Sequence, residues 1–252
     1  MPDVGCNTNM KLLIILLVLS QIGFGQKTDN SFLTDKSKAN LKQIAFDLQN
    51  RGQLLDEREH KFEEATKYID SALKIFETLD DSLNLANNLK LYGYLLARQK
   101  AFGKAKIEIV KSINLFKAKG ALWGVAVSNF DMARVYYLEN KVDSAEYYCN
   151  SAMHFWKNKN DTDRIFIIRN LLIAVNLKSN NLTRAQEIQR LNSVTSDLKQ
   201  QHWQNLLDFY TVSFLVFQEI NDLASATKYR NNIDNLQQDL IKEQINALSF
   251  FE

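Results

Sequence analysis

Three histidines, two cysteines and 29 carboxylates are the obvious reactive groups of this 252-residue chain. His60, His154 and His202 stand apart from one another, and none has a partner at metal-ligand spacing. The sequence contains no HExxH pair, no glycine loop that could cradle a phosphate and no GxSxG elbow. Cys149 falls on an apolar stripe, the place of a small buried hydrophobe rather than a reactive thiolate. His154 follows five residues later and points to another helix face, so the two do not make a nucleophile–base pair. The acids are scattered among basic residues, as on solvated helix faces, and no two suggest proton transfer. Neither catalysis, a metal nor a cofactor is expected. Tyr136-Tyr137 and Tyr147-Tyr148 could stack on bases or sugars, but helical spacing turns one of each pair inward, where core packing is the expected use.

Chemistry being absent, the elements that shape the chain carry the argument. A hydrophobic share of 46% is that of a folded protein, so disorder is not expected. The only proline is Pro2, and beyond residue 25 the glycines are Gly52, Gly93, Gly103, Gly120 and Gly124. A β-rich chain needs turn residues every eight to twelve positions or so, which excludes that class and leaves long helices joined by short polar turns. The 31 basic and 29 acidic residues are interspersed and give a net charge of +2. No basic footprint marks a nucleic-acid partner or an acidic membrane surface.

Residues Met10 to Gln26 have the layout of an export signal. Lys11 is followed by the apolar run Leu12 to Leu19, and Gly23 and Gly25 suit the small-residue subsites of a signal peptidase. The apolar stretch from Leu12 to Phe24 is shorter than the roughly 20 residues a spanning helix needs. Residues 1–25 are therefore expected to be removed, with the true start at Met10 and residues 26–38 forming a linker. The mature chain would keep Cys149 alone and no internal disulfide. It would have no stable membrane span, and it would be periplasmic or secreted.

Beyond the linker the chain repeats itself. FEEATKYIDSA at 62–72, FGKAKIEIVKS at 102–112, VDSAEYYCNSA at 142–152 and LTRAQEIQRLN at 182–192 align on the evenly spaced Ala65, Ala105, Ala145 and Ala185. A fifth unit places Ala226 one position later than the same step would. The period is about 40 residues, within the range of solenoid repeats. Upstream of each alanine runs a second apolar-periodic segment, so each unit is two helices and a turn such as Glu139-Asn140-Lys141. Antiparallel helices approach closely only at small side chains. Gly93 or Ala133 on the first helix and Ala105 or Ala145 on the second supply them, with Leu96, Phe102 and Ile109 filling the flanks. One hairpin cannot bury both faces, so neighbours must stack.

This pattern resembles the tetratricopeptide repeat. The third unit, Met132-Ala133, Tyr136, Val142, Ala145, Cys149 and Ala152, matches best. The fourth and fifth depart from it with Ile173 and Phe214 where a small residue belongs, and with Asn192 and Ile233 near the close of the second helix. These two units are expected to pack at a different angle or act as caps. The resemblance implies an all-α, right-handed superhelical solenoid of antiparallel helix pairs over residues 39–236, closed by a capping helix over 237–252. The polar Gln237, Gln238, Asp239, Lys242 and Glu243 suit a cap, and Leu248-Ser249-Phe250-Phe251 is abruptly apolar.

The resemblance also implies that first helices line a concave surface where a protein or peptide binds. Carried onto this register, the lining residues are Asn87, Lys90, Tyr94 and Arg98; Val127, Phe130, Arg134 and Tyr137; and Asn170 and Lys178, with Ala97 and Ala174 between them. Lys90, Arg98, Arg134 and Lys178 are four cations without a matching acid in this set, which suits an acidic or carboxylate-bearing peptide. The carboxylate clamp of some chaperone-binding members is not reproduced, because Ile167 and Leu171 occupy places where it needs cations. The expected function is a non-enzymatic interaction module or scaffold of the cell envelope. The second expectation is a ligand-sensing extracytoplasmic domain of a signalling system.

Overall fold

The computed structural model describes residues 34–195, 198, 201–242 and 249–251. The expected export signal and cleavage position, Cys6 and the expected linker up to residue 33 lie outside the described residues. Residues 1–41 and 42–252 form two compact units. The described part of the first is the opening of a helix.

Length is regulated along the chain. Helix α1 spans Asp35–Glu57, α2 Phe62–Thr78, α3 Ser82–Arg98, α4 Phe102–Ala118 and α5 Leu122–Leu138. Then come α6 Val142–Asn158, α7 Thr162–Lys178, α8 Leu182–Thr195, α9 Trp203–Glu219 and α10 Leu223–Lys242. Helices α2 to α7 each have 17 residues and are joined by three-residue turns. The central turn residue takes positive φ at His60, Asp80, Lys100, Gly120, Asn140, Asn160 and Asn180, and again at Asn221. The next amide then folds back onto the preceding helix: Asp81 N–H donates to Phe76 O at 3.0 Å and Lys141 N–H to Tyr136 O at 2.8 Å. This left-handed cap satisfies carbonyls that the helix end leaves open. Asp81 and Asp161 then start the following helices by accepting from the amides of Asn84 and Arg164.

The aligned alanines lie at the helix crossings. Ala65, Ala105, Ala145 and Ala185 are fully buried, and Ala226 nearly so. Gly93 shows how close the approach is: a Cβ there would lie 2.7 Å from Ile109 Cγ1 and 2.8 Å from the Ala105 carbonyl oxygen. Ile69, Ile109 and Cys149 fill the same position in three successive units and are wholly buried. Burial pushes the Cys149 thiol pKa up, as the placement of a small hydrophobe requires. Of the tyrosine pairs, Tyr137 is buried and Tyr147 exposed, while Tyr136 stacks on Tyr148 at 5.4 Å between ring centres.

Each helix from α2 onward packs on the next, and α3 also meets α5, α5 meets α7, and α7 meets α9. First helices thus crowd together on one side of the stack, which makes that side the inner one. The fourth unit differs as its residues require. Ile173 is fully buried where earlier units have a small residue. Asn192 is buried too, its amide donating to Phe166 O at 3.1 Å and to Asn170 Oδ1 at 2.7 Å.

Two boundaries expected from sequence move. Helix α1 begins at Asp35, inside the segment assigned to the linker. Helix α10 runs unbroken through residue 237 to Lys242, so the capping segment opens as the end of the fifth unit's second helix. Of the remainder of the expected capping segment, residues 249–251 are described and the others lie outside the described residues. Phe250 and Phe251 form a turn, and Asp208 accepts from the Ser249 hydroxyl and the Phe250 amide.

Candidate functional site: a cavity on the inner face

Residues spaced three or four apart on a helix share a face. Lys90, Tyr94 and Arg98 make such a stripe on α3, and Val127, Phe130, Asp131 and Arg134 make the next on α5. Ile167, Asn170 and Leu171 continue it on α7, and Gln204, Asn205 and Asp208 on α9. With Gln53, Asp56 and Glu57 of α1 and the rings of Phe250 and Phe251, these stripes enclose a cavity of about 330 Å³.

Arg134 is its centre. The guanidinium carbon lies 3.5 Å from the Tyr94 ring centre and 4.8 Å from that of Phe250. One guanidinium nitrogen is 3.4 Å from Asp131 Oδ1, while Lys90 Nζ is 3.7 Å from Asp131 Oδ2. Arg98 donates to the Tyr94 hydroxyl at 3.0 Å and lies over the Phe62 ring. Burial pushes Tyr94 up to about 12 and drives Lys90 down, the latter opposed by Asp131. Burial also raises Asp56, opposed by Arg98 and Arg134, and raises Asp208, opposed by the Phe250 amide, the Ser249 hydroxyl and Arg134.

Of the residues singled out from sequence, Lys90, Tyr94, Arg98, Val127, Phe130, Arg134 and Asn170 all line this cavity. Tyr137 stands behind it, 5.8 Å from both Phe250 and Phe251, and Lys178 covers the far face of Tyr137 at 3.9 Å. Asn87 is half-buried and is not part of the cavity wall.

The expectation of unmatched cations fails for two of the four, Lys90 and Arg134. Asp131 takes both Lys90 and Arg134, and Asp56 and Asp208 add their field to that of Arg134. The cause is that one turn of α5 places an acid and a base on the same stripe, while further acids come from the first and fifth units. Asp56, Asp131, Asp208 and the two phenylalanines are among the lining groups the sequence reading missed. Asp208 was within reach of it, because it follows Ile167 by the same step that separates Ala185 from Ala226.

Lys90 and Arg134 pair with Asp131, Phe130, Phe250 and Phe251 remain partly exposed, and polar groups converge from five first helices.

Fold and site together define an all-α helical-repeat solenoid of the tetratricopeptide-like kind. No family model matches the sequence, and no curated protein matches it. Among solved structures, the chain is similar to BtubC (BKLC) from P. vanneervenii, with 13% identity over 85% of this chain and 93% of that one, at a TM-score of 0.55. It is also similar to the apo form of RapI, with 13% identity over 92% of each chain and a TM-score of 0.56. At this identity the likeness is one of fold.

Proposed function

We propose that this chain is a non-enzymatic interaction module that grips a peptide or protein segment in the groove formed by its first helices. One observation carries the reading: inner stripes of five helices converge on a single cavity whose walls mix paired charges with exposed aromatic faces. Such walls offer hydrogen bonds, stacking and apolar contact together, which is what an extended peptide presents. The site of action is outside the cytoplasm, on the strength of the signal-like run from Met10 to Gln26. No helix among the described residues is long and apolar enough to cross a membrane.

The second reading is a ligand-sensing extracytoplasmic domain of a signalling system. It is favoured by the burial of Lys90, Asp131 and Tyr94 around the cavity, which would answer a small ligand with a change in a paired charge network.

The test is capture from cell-envelope extract by the full chain and by the double variant Arg98→Glu, Val127→Arg. Both positions line the cavity and neither belongs to the Lys90–Asp131–Arg134 cluster. A partner held by the parent and lost by a variant of unchanged helicity supports the groove. A partner held equally by both refutes it.

A further inference from the structure

The inner groove already contains a piece of polypeptide. Ser249, Phe250 and Phe251 lie along it as a turn, and the contacts they make are of the kind a bound peptide would make. The Phe250 amide donates to Asp208 Oδ1 at 2.8 Å, and the Ser249 hydroxyl donates to the same oxygen at 2.9 Å. The Phe250 ring packs 6.3 Å from Tyr94 and 5.8 Å from Tyr137, with the Arg134 guanidinium over its face. The Phe251 ring meets Tyr137 edge-on at 5.8 Å.

Two features distinguish this segment, whose rings pack against the core cluster that includes Tyr137 and Leu171. Both phenylalanines remain partly exposed, whereas the helix crossings close without them at the fully buried Ala105, Ile109, Ala145 and Cys149. Two of its polar groups are anchored on one carboxylate oxygen, that of a cavity-wall residue.

We propose that Ser249–Phe251 is a displaceable internal occupant of the groove, and that the groove's ligand in trans is a peptide with the same chemistry. That chemistry is a hydroxyl-bearing residue followed by two adjacent aromatic residues. Asp208 fixes the backbone, while Arg134, Tyr94 and Tyr137 form the pocket for the first ring. This rests on the groove being a peptide-binding surface, and it adds the ligand class and the device that keeps the groove closed until the ligand arrives. Because occupant and ligand compete for one place, removing the two rings must raise affinity for the peptide.

The probe is a fluorescently labelled peptide of residues 246–252, Asn-Ala-Leu-Ser-Phe-Phe-Glu, followed by anisotropy against the full chain. The double variant Phe250→Ala, Phe251→Ala, checked for helicity, is expected to bind it at least about tenfold more tightly than the parent, by relief of competition. A peptide with both phenylalanines replaced by alanine is expected not to bind. Asp208→Ala, which also frees the segment, is expected to bind the probe more weakly than the double variant does. Equal affinity of parent and double variant, abolished in both by Arg98→Glu, would overturn the internal occupant and leave the groove standing. Absence of binding to the double variant would overturn the ligand class, with the groove then judged by capture from envelope extract.

Discussion

The Arg134 guanidinium lies 3.5 Å from the centre of the Tyr94 ring, joining the inner face of the second repeat unit to that of the third. The contact is possible because both side chains occupy the same place in successive units, so stacking of first helices brings them face to face. Cation–π attraction between a half-buried guanidinium and a tyrosine contributes about 1–2 kcal/mol, and it leaves the other guanidinium face free for Phe250.

Asp131 holds that arrangement against its own repulsion. It accepts from Arg134, which is half-buried, and pairs with Lys90, which is buried. Asp131→Ala leaves the buried Lys90 without its ion-pair partner and is expected to cost about 3–5 kcal/mol. Urea denaturation checks this, and a loss below about 1 kcal/mol would show that the pair is effectively solvated.

The helix crossings make a paired prediction. Gly93→Ala improves helix propensity by about 1 kcal/mol but drives a methyl into the Ala105 carbonyl and Ile109, so a net loss of about 1–3 kcal/mol is expected. Gly103→Ala meets nothing within 4 Å and is expected to gain about 0.5–1 kcal/mol. Thermal melts of the two variants should move in opposite directions.

The turns make another. Lys100 adopts φ of 62°, a conformation that costs a side-chain-bearing residue about 1 kcal/mol and glycine nothing. Lys100→Gly is expected to stabilise the chain by about that amount, whereas Gly120→Val, at φ of 65°, should destabilise it by at least as much. Equal melting temperatures for all three chains would contradict the turn geometry.

Acidity provides a further check. Asp208 and Asp56 have folded pKa values raised above their ordinary 3.8 because burial disfavours the carboxylate. The folded state then binds these protons more tightly than the unfolded state, so their contribution to stability falls as pH rises from 3.8 through the folded values. Asp208→Asn keeps the acceptor oxygen and removes the titration. Its denaturation midpoint should therefore decline less steeply than the parent's as pH rises above 3.8. Parallel profiles would show that Asp208 is not perturbed.

Much of the fold was legible because its physics is local and periodic. The even recurrence of Ala65, Ala105, Ala145 and Ala185 identifies the crossings, since only a small side chain fits there. A recurrence of turns at half that interval was also present but disguised. Asp80, Gly120, Asn140, Asn160, Asn180 and Asn221 tolerate positive φ, yet His60 and Lys100 break the pattern. The site was half legible. Register found Lys90, Tyr94, Phe130 and Arg134, whose faces the repeat fixes. It could not find Phe250 and Phe251, because they reach the groove by a turn outside the repeat. It also could not assign Asp131 to Lys90, because that pairing depends on how adjacent units stack.

The central claim is that the partner occupies the inner face. A photo-crosslinking residue at Val127, on the cavity wall, should join the partner covalently, whereas the same residue at Tyr147, exposed on a second helix, should not. Capture from Val127 alone is the result this account predicts. Capture from Tyr147 and not from Val127 would place the partner on the outer surface and contradict it.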